Sequence, residues 1–121
     1  MKIEIDRRAA LDLWRQVTVA SVRDDGPDLS ARQLAVLMTV YLTPAPHTVR
    51  GLAELLNVGK PAITRALDTL ARLGYVRRRR DDADGRNVLV QRTVKGSVFL
   101  ADYGDLIART AGRLEPAALA L

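Results

Sequence analysis

The chain has 121 residues and a formal net charge of +5, with no cysteine and a single histidine. That length suits one domain with a modest core, and the missing cysteines exclude disulfides, thiolate metal sites and a cysteine nucleophile. One histidine cannot build an imidazole cluster, no apolar run reaches the length of a membrane span, and the N-terminus lacks a signal-peptide layout, so a cytoplasmic protein without metal or membrane partner is expected.

In chain order, residues 6–23 carry a helical stripe at Ala10, Leu13, Trp14, Val17 and Ala20, ended by Asp24-Asp25-Gly26-Pro27-Asp28. The next helix opens with a capping box, Ser30 and Gln33, with Leu29 and Leu34 placed as a hydrophobic staple. Its apolar stripe is Leu34, Leu37, Met38, Tyr41 and Leu42, and Pro44-Ala45-Pro46 stops it. His47, after this proline-rich loop, is expected to be exposed. Thr48 caps a short helix to Leu56, and Asn57 suits a left-handed turn. Gly59 caps a further helix with Pro61 in its first turn, an inward stripe at Ile63, Ala66, Leu67 and Leu70, and Gly74 as its stop.

From Tyr75 to Arg92 the period changes to two, with Asp84-Gly85 as the turn signal of a hairpin. Thr93 then caps a last helix striped by Phe99, Tyr103, Leu106, Ile107, Thr110 and Leu114, with Pro116 at or just beyond its end. The resulting fold class is mainly α with a small β-hairpin wing. It is a winged helix-turn-helix over residues 29–93, flanked by helices at 6–23 and 94–115, in a single domain.

The charge concentrates on this module. Residues 1–25 hold five basic and five acidic side chains, whereas residues 50–96 hold eleven basic against five acidic. A net +6 on one segment suits phosphate neutralisation. On a helical wheel with Ile63 inward, Pro61, Arg65, Asp68 and Arg72 face outward, flanked by Lys60 and Thr64. A face without large apolar groups fits the major groove, with Ala62 in the same opening turn, whose free amides suit a phosphate. Arg65 is the residue expected to read guanine through its planar fork, with Thr64 and Lys60 on phosphate or a neighbouring base edge.

In the hairpin, alternation sends Arg78 and Arg80 to one side and Arg77 and Arg79 to the other. One pair, assigned as Arg78 and Arg80, is expected to follow the DNA backbone while the other meets Asp81, Asp82 or Asp84. Arg86 sits where a wing tip enters a minor groove, which attracts arginine when narrow. Asp84 and Gly85 are assigned to wing structure, Asp84 orienting an arginine by a charge-assisted bond.

The succession of Leu29-Ser30-Ala31-Arg32-Gln33, Leu52-Ala53, Lys60-Pro61-Ala62-Ile63-Thr64-Arg65, Leu70-Ala71-Arg72-Leu73-Gly74, Asp84-Gly85-Arg86 and Thr93-Val94-Lys95-Gly96 resembles the MarR family of bacterial transcriptional regulators. The resemblance covers about residues 29–96. It implies a homodimer, held mainly by terminal helices, on a pseudo-palindromic operator. Gly59 stands where the family often has Ser, Gly85 where it often has Arg, and Arg92 replaces a usual Leu. The family's closing C-terminal helix is expected to be reduced to Pro116–Leu121 or missing.

The leading expectation is thus a homodimeric, nucleoid-associated regulator of transcription, a repressor acting on double-stranded DNA, joined through Leu13, Trp14, Val17, Phe99, Tyr103, Leu106 and Ile107. The alternative is an architectural DNA protein with little sequence preference. An enzyme is disfavoured, since no acid–base pair, nucleophile triad or phosphate loop accompanies the carboxylates, and no cofactor is expected. The resemblance also allows a small-molecule or protein effector; Trp14, Tyr41 and Tyr103 could line a cavity for it, although aromatics at helical spacing more often belong to the core.

Overall fold

The computed structural model describes residues 2–115. Five helices and three short strands follow one another as α1 (Arg7–Arg23), α2 (Ala31–Leu42), β1 (His47–Thr48), α3 (Val49–Leu56), α4 (Lys60–Arg72), β2 (Val76–Arg80), β3 (Val88–Arg92) and α5 (Val94–Gly112). Contacts divide them into two compact units, Leu29–Leu100 and the described residues up to Asp28 and from Ala101 onward. The helix α5 starts in the first unit and continues in the second.

Local chemistry explains where the helices begin and end. The Asp6 carboxylate accepts from the Ala9 amide at the start of α1, and Ser30 and Gln33 complete a reciprocal capping box at α2. Thr48 caps α3 by accepting from the Gly51 amide, and Asn57 ends that helix in the left-handed region at φ 55°. Gly59 caps α4 without a side-chain bond; Pro61 has no N–H to be capped, and the Ala62 amide donates to the Gly59 carbonyl at 3.0 Å. Gly74, at φ 81°, reverses the chain after α4 and delivers Tyr75 and Val76 back onto the core.

The core of the Leu29–Leu100 unit is Val36, Leu37, Val40, Leu52, Ala53, Ile63, Ala66, Leu67, Leu70, Tyr75, Val76 and Val90. All four residues expected to face inward from α4 are buried. In α2 the stripe is rotated from the expected phase. Val36, Leu37 and Val40 are buried and Leu42 is 75% exposed, because α2 packs against both α4 and β3 and must present a broader face.

The sheet is three-stranded and antiparallel, in the order β1-β3-β2, so the wing is more than a hairpin. His47 pairs with Val90 and Thr48 with Leu89. This corrects the expectation for His47: it is half-buried in a strand, with Nε2 3.2 Å from the Thr43 carbonyl and 3.3 Å from its hydroxyl. Pairing turns the end of the proline loop into the third strand and sets the start of α3 beside β3.

Arg92, the charge at a strand position where an apolar residue was usual, finds partners within the unit. Its Nε donates to the Val40 carbonyl at 2.8 Å and a terminal nitrogen to the Thr43 carbonyl at 2.9 Å. These oxygens close α2, so Arg92 serves as a cap contributed from another element, with its guanidinium also over the Tyr41 ring. The Tyr41 hydroxyl donates to the Tyr75 carbonyl at 2.7 Å and accepts from the Thr93 amide at 2.8 Å. Thr93 in turn donates to the Gly74 carbonyl and accepts from the Gly96 amide. A Cβ on Gly96 would collide with the Tyr41 hydroxyl and the Tyr75 carbonyl, so glycine lets α5 approach this closely.

In the second unit, α1 buries Val17, and α5 contributes Thr110, whose hydroxyl donates to the Leu106 carbonyl. The last helix ends at Gly112, ahead of Pro116, which lies outside the described residues together with the alanine- and leucine-rich tail.

Candidate nucleic-acid interface

The outward face of α4 follows from its inward one. With Ile63, Ala66, Leu67 and Leu70 buried, Lys60, Pro61, Thr64, Arg65, Asp68 and Arg72 are all exposed. Ala62 is half-buried and contributes backbone more than side chain. The helix begins with Lys60 and Pro61, and the expected set of free amides is reduced: proline brings no N–H and the Ala62 amide is taken by the Gly59 carbonyl. Such a helix presents cations and the positive end of its dipole together at one end.

The wing lies beside it. Strands β2 and β3 pair from Val76↔Arg92 to Arg80↔Val88, and β2 packs on α4. The connection is a seven-residue loop, Asp81–Asn87, closed by the Asp81 amide on the Asn87 carbonyl and the Asn87 amide on the Asp84 carbonyl. This corrects the role given to Gly85. It does not adopt the left-handed backbone of a tight Asp-Gly hairpin, because the strands stop well before it. A Cβ there would meet Arg80 only at ordinary contact distance, so the position has room for a side chain.

Asp84 carries the turn. Its Oδ1 accepts from the Arg86 amide and from Arg86 Nε, both at 3.1 Å, and Oδ2 accepts from the far end of the guanidinium at 3.3 Å. The Arg86 side chain, 91% exposed, is thus aimed outward by a carboxylate behind it. These bonds hold the Asp84 carboxyl below its ordinary range, the Arg86 side chain first and its backbone N–H second, with the charge of Arg50 adding to them. Arg50 was not among the expected site residues. It is exposed in the first turn of α3, which the pairing of β1 with β3 brings towards the wing, and no local sequence signal marks it.

The four consecutive arginines divide, though differently from expectation. Arg79 pairs with Asp82 of the loop at 2.9 Å, as one of the two faces was expected to do. Arg78, assigned to the DNA backbone, instead reaches Asp68 of α4, with Nη1 2.7 Å from Oδ1. Arg80 and Arg77 are exposed. The expected residues are therefore brought together at α4 and the wing, with Arg78 tied at the surface to Asp68 of the helix.

The residues assigned to dimerisation do not form one class. Trp14 is 61% exposed, and Leu11, Val22 and Val98 are also exposed. Leu13, Tyr103, Leu106 and Ile107 are half-buried. One assignment is corrected: Val17 is 2% exposed and already belongs to the chain's own interior. Phe99 is half-buried and stacks on Tyr75 with ring centroids 4.5 Å apart. Tyr41 is taken up by its backbone bonds, and a cavity of about 250 Å³ is lined by Val40, Pro46, His47, Leu89 and Arg92, among others. Among the described residues no group of histidine, cysteine and carboxylate side chains could hold a metal, and no helix is long and apolar enough to cross a membrane.

Comparison with known proteins places this geometry. Residues 28–87 match the family model described as the MarR family. Among solved structures, the chain is similar to a cysteine-to-serine mutant of MarR from E. coli complexed with operator DNA. Identity is 26% and the TM-score 0.68, over 88% of this chain and 73% of that one. It is also similar in fold to overoxidised AbfR bound to DNA, at 22% identity and TM-score 0.66 over 84% and 73% of the two chains. A mutant of S. aureus MepR gives 17% identity and TM-score 0.73, over 90% and 80%. No curated protein sequence matches the chain.

Proposed function

Because this chain belongs to the MarR family of winged helix-turn-helix transcriptional regulators, we propose that it is a homodimeric repressor that binds a pseudo-palindromic operator in double-stranded DNA. The observation that carries this reading is the exposed face of α4 next to a wing whose tip arginine is held outward by Asp84. In it, α4 enters the major groove, Arg65 reads guanine with its two donors, and Lys60, Thr64 and Arg72 hold phosphates or flanking base edges. The Lys60 amide and the positive end of the helix dipole meet a phosphate at the Gly59–Pro61 turn, with Pro61 and Ala62 packing against the sugar-phosphate backbone. Arg80 follows the DNA backbone and Arg86 enters the minor groove. DNA-bound structures of similar fold support the partner, operator DNA in the case of E. coli MarR.

The exposed apolar side chains of α1, Trp14 foremost, support a second copy as the other partner, with Leu13, Tyr103, Leu106 and Ile107 bordering the contact. Two copies related by a two-fold axis would set their α4 helices about 34–36 Å apart, one turn of DNA. An effector, small molecule or protein, would act by changing that spacing.

The test is selection of bound fragments from sheared genomic DNA at physiological salt, followed by sequencing. The expected result is a pseudo-palindrome with half-sites about one turn apart. Enrichment of A·T-rich DNA without a repeated motif would overturn the operator reading in favour of an architectural protein. On the selected site, Arg65→Ala is expected to cost about 1–3 kcal/mol and to relax preference at one base position. Equal weakening on every sequence would reassign Arg65 to phosphate.

A further inference from the structure

Asp68 is the only acidic residue in α4, and it stands on the face that carries Arg65 and Arg72. Its spacing to them, three residues one way and four the other, is the spacing at which helical carboxylates capture arginines. A carboxylate on a DNA-facing surface has two harmful options. It can repel phosphate, or it can draw in one of the guanidinium groups meant for the nucleic acid.

The second does not happen here. Asp68 accepts from Arg78 of β2 at 2.7 Å, and no hydrogen bond ties it to Arg65 or Arg72. The Asp68 side chain is 55% exposed, so the pair sits at the surface shared by helix and wing. Arg78 reaches it because Gly74 and the burial of Tyr75 and Val76 bring β2 back along α4. Strand alternation then puts Arg78 on the helix side while its neighbour Arg79 turns to Asp82.

We propose that Arg78 is a positioning residue for DNA recognition: it occupies Asp68 and so leaves Arg65 and Arg72 free for the groove. The inference rests on the DNA-binding reading above and deepens it. Asp68 in turn fixes Arg78 against α4, away from phosphate. A surface pair of this kind contributes little to stability, so its removal leaves the fold intact and exposes the effect on binding alone.

The experiment is a double-mutant cycle read by fluorescence anisotropy. The probes are the fragment pool that the wild-type protein selects and a mixed-sequence duplex of equal length. Arg78→Ala, which uncovers Asp68, is expected to weaken binding to the selected pool by about tenfold or more. Asp68→Asn added to Arg78→Ala removes the uncovered carboxylate, and binding is expected to return to within about threefold of wild type, with an unchanged salt slope. Restoring the lost charge could recover binding by itself, so Asp68→Asn alone completes the cycle: it is expected to leave binding within about threefold of wild type, and a gain there as large as the rescue would assign the effect to bulk charge and overturn the proposal.

A double variant that binds no better than Arg78→Ala would overturn the proposal. If its salt slope were also lower by about one, Arg78 would be a phosphate contact instead. Circular dichroism of each variant confirms that the fold is retained. Should Arg78→Ala alone prove unstable, Arg78→Gln with and without Asp68→Asn supplies the same comparison. Failure of wild type to bind any duplex would refute the DNA-binding reading itself, an outcome distinct from a missing rescue.

Discussion

Asp84 shows how much one side chain can organise at a wing tip. It shapes the turn by accepting the Arg86 amide and aims the Arg86 guanidinium by accepting two of its nitrogens. Since these bonds favour the ionised carboxyl, its folded pKa lies below that of an unperturbed aspartate. The contribution is fully present above the unfolded value, and it disappears as pH falls through the lower folded value. A carboxyl-carbon NMR titration should therefore show Asp84 with a midpoint below that of an unperturbed aspartate, with the Arg86 amide shift moving in step. In an Arg86→Ala variant the midpoint should rise. A midpoint that stays put would mean that the Arg86 side chain does not hold this carboxylate.

At the scale of elements, much of the chain was legible because its punctuation is local. Ser30 with Gln33, Thr48, Asn57 and Gly74 each stop or start a helix through bonds to residues a few positions away, and each stands where the sequence placed it. The inward stripe of α4 was legible for the same reason. What stayed hidden depends on partners distant in sequence. Two residues of β1 carry no strand pattern of their own, and His47 becomes a strand residue only through Val90. The signs of Asp68 and Arg78 were plain, but their meeting required the return of β2 along α4. Likewise Arg92 could be flagged as a charge needing a partner, whereas the open end of α2 could not be named. Replacing it with the smaller apolar residue, Arg92→Leu, should cost about 1–2 kcal/mol, read from the urea midpoint at constant slope. An unchanged midpoint would show that water closes α2 equally well.

The whole molecule combines a well-filled unit, Leu29–Leu100, with helices that leave apolar surface uncovered. Sequence stripes identified both sets of apolar residues but could not separate them, since periodicity marks a face without saying which molecule covers it. Val17 turned out to be spent inside the chain, and Trp14 did not. If a second copy covers Trp14, Trp14→Glu should shift the protein towards monomer in sedimentation velocity while leaving the far-ultraviolet circular dichroism intact. A wild-type protein that sediments as a monomer at every concentration would remove the dimer from the proposed function.

The clasp around Tyr41 has a consequence for how the chain is made. Its hydroxyl takes the amide of Thr93, and Arg92 closes the helix to which Tyr41 belongs, so the second helix is finished by residues made some fifty positions later. During synthesis, α2, α3 and α4 emerge in order with their own caps, yet the end of α2 and the edge of the sheet stay open until Thr93 has left the ribosome. The basic wing is thus completed by the same residues that lock the helices together. A nascent chain arrested before Arg92 should be cleaved readily near Thr43, and one released beyond Gly96 should resist.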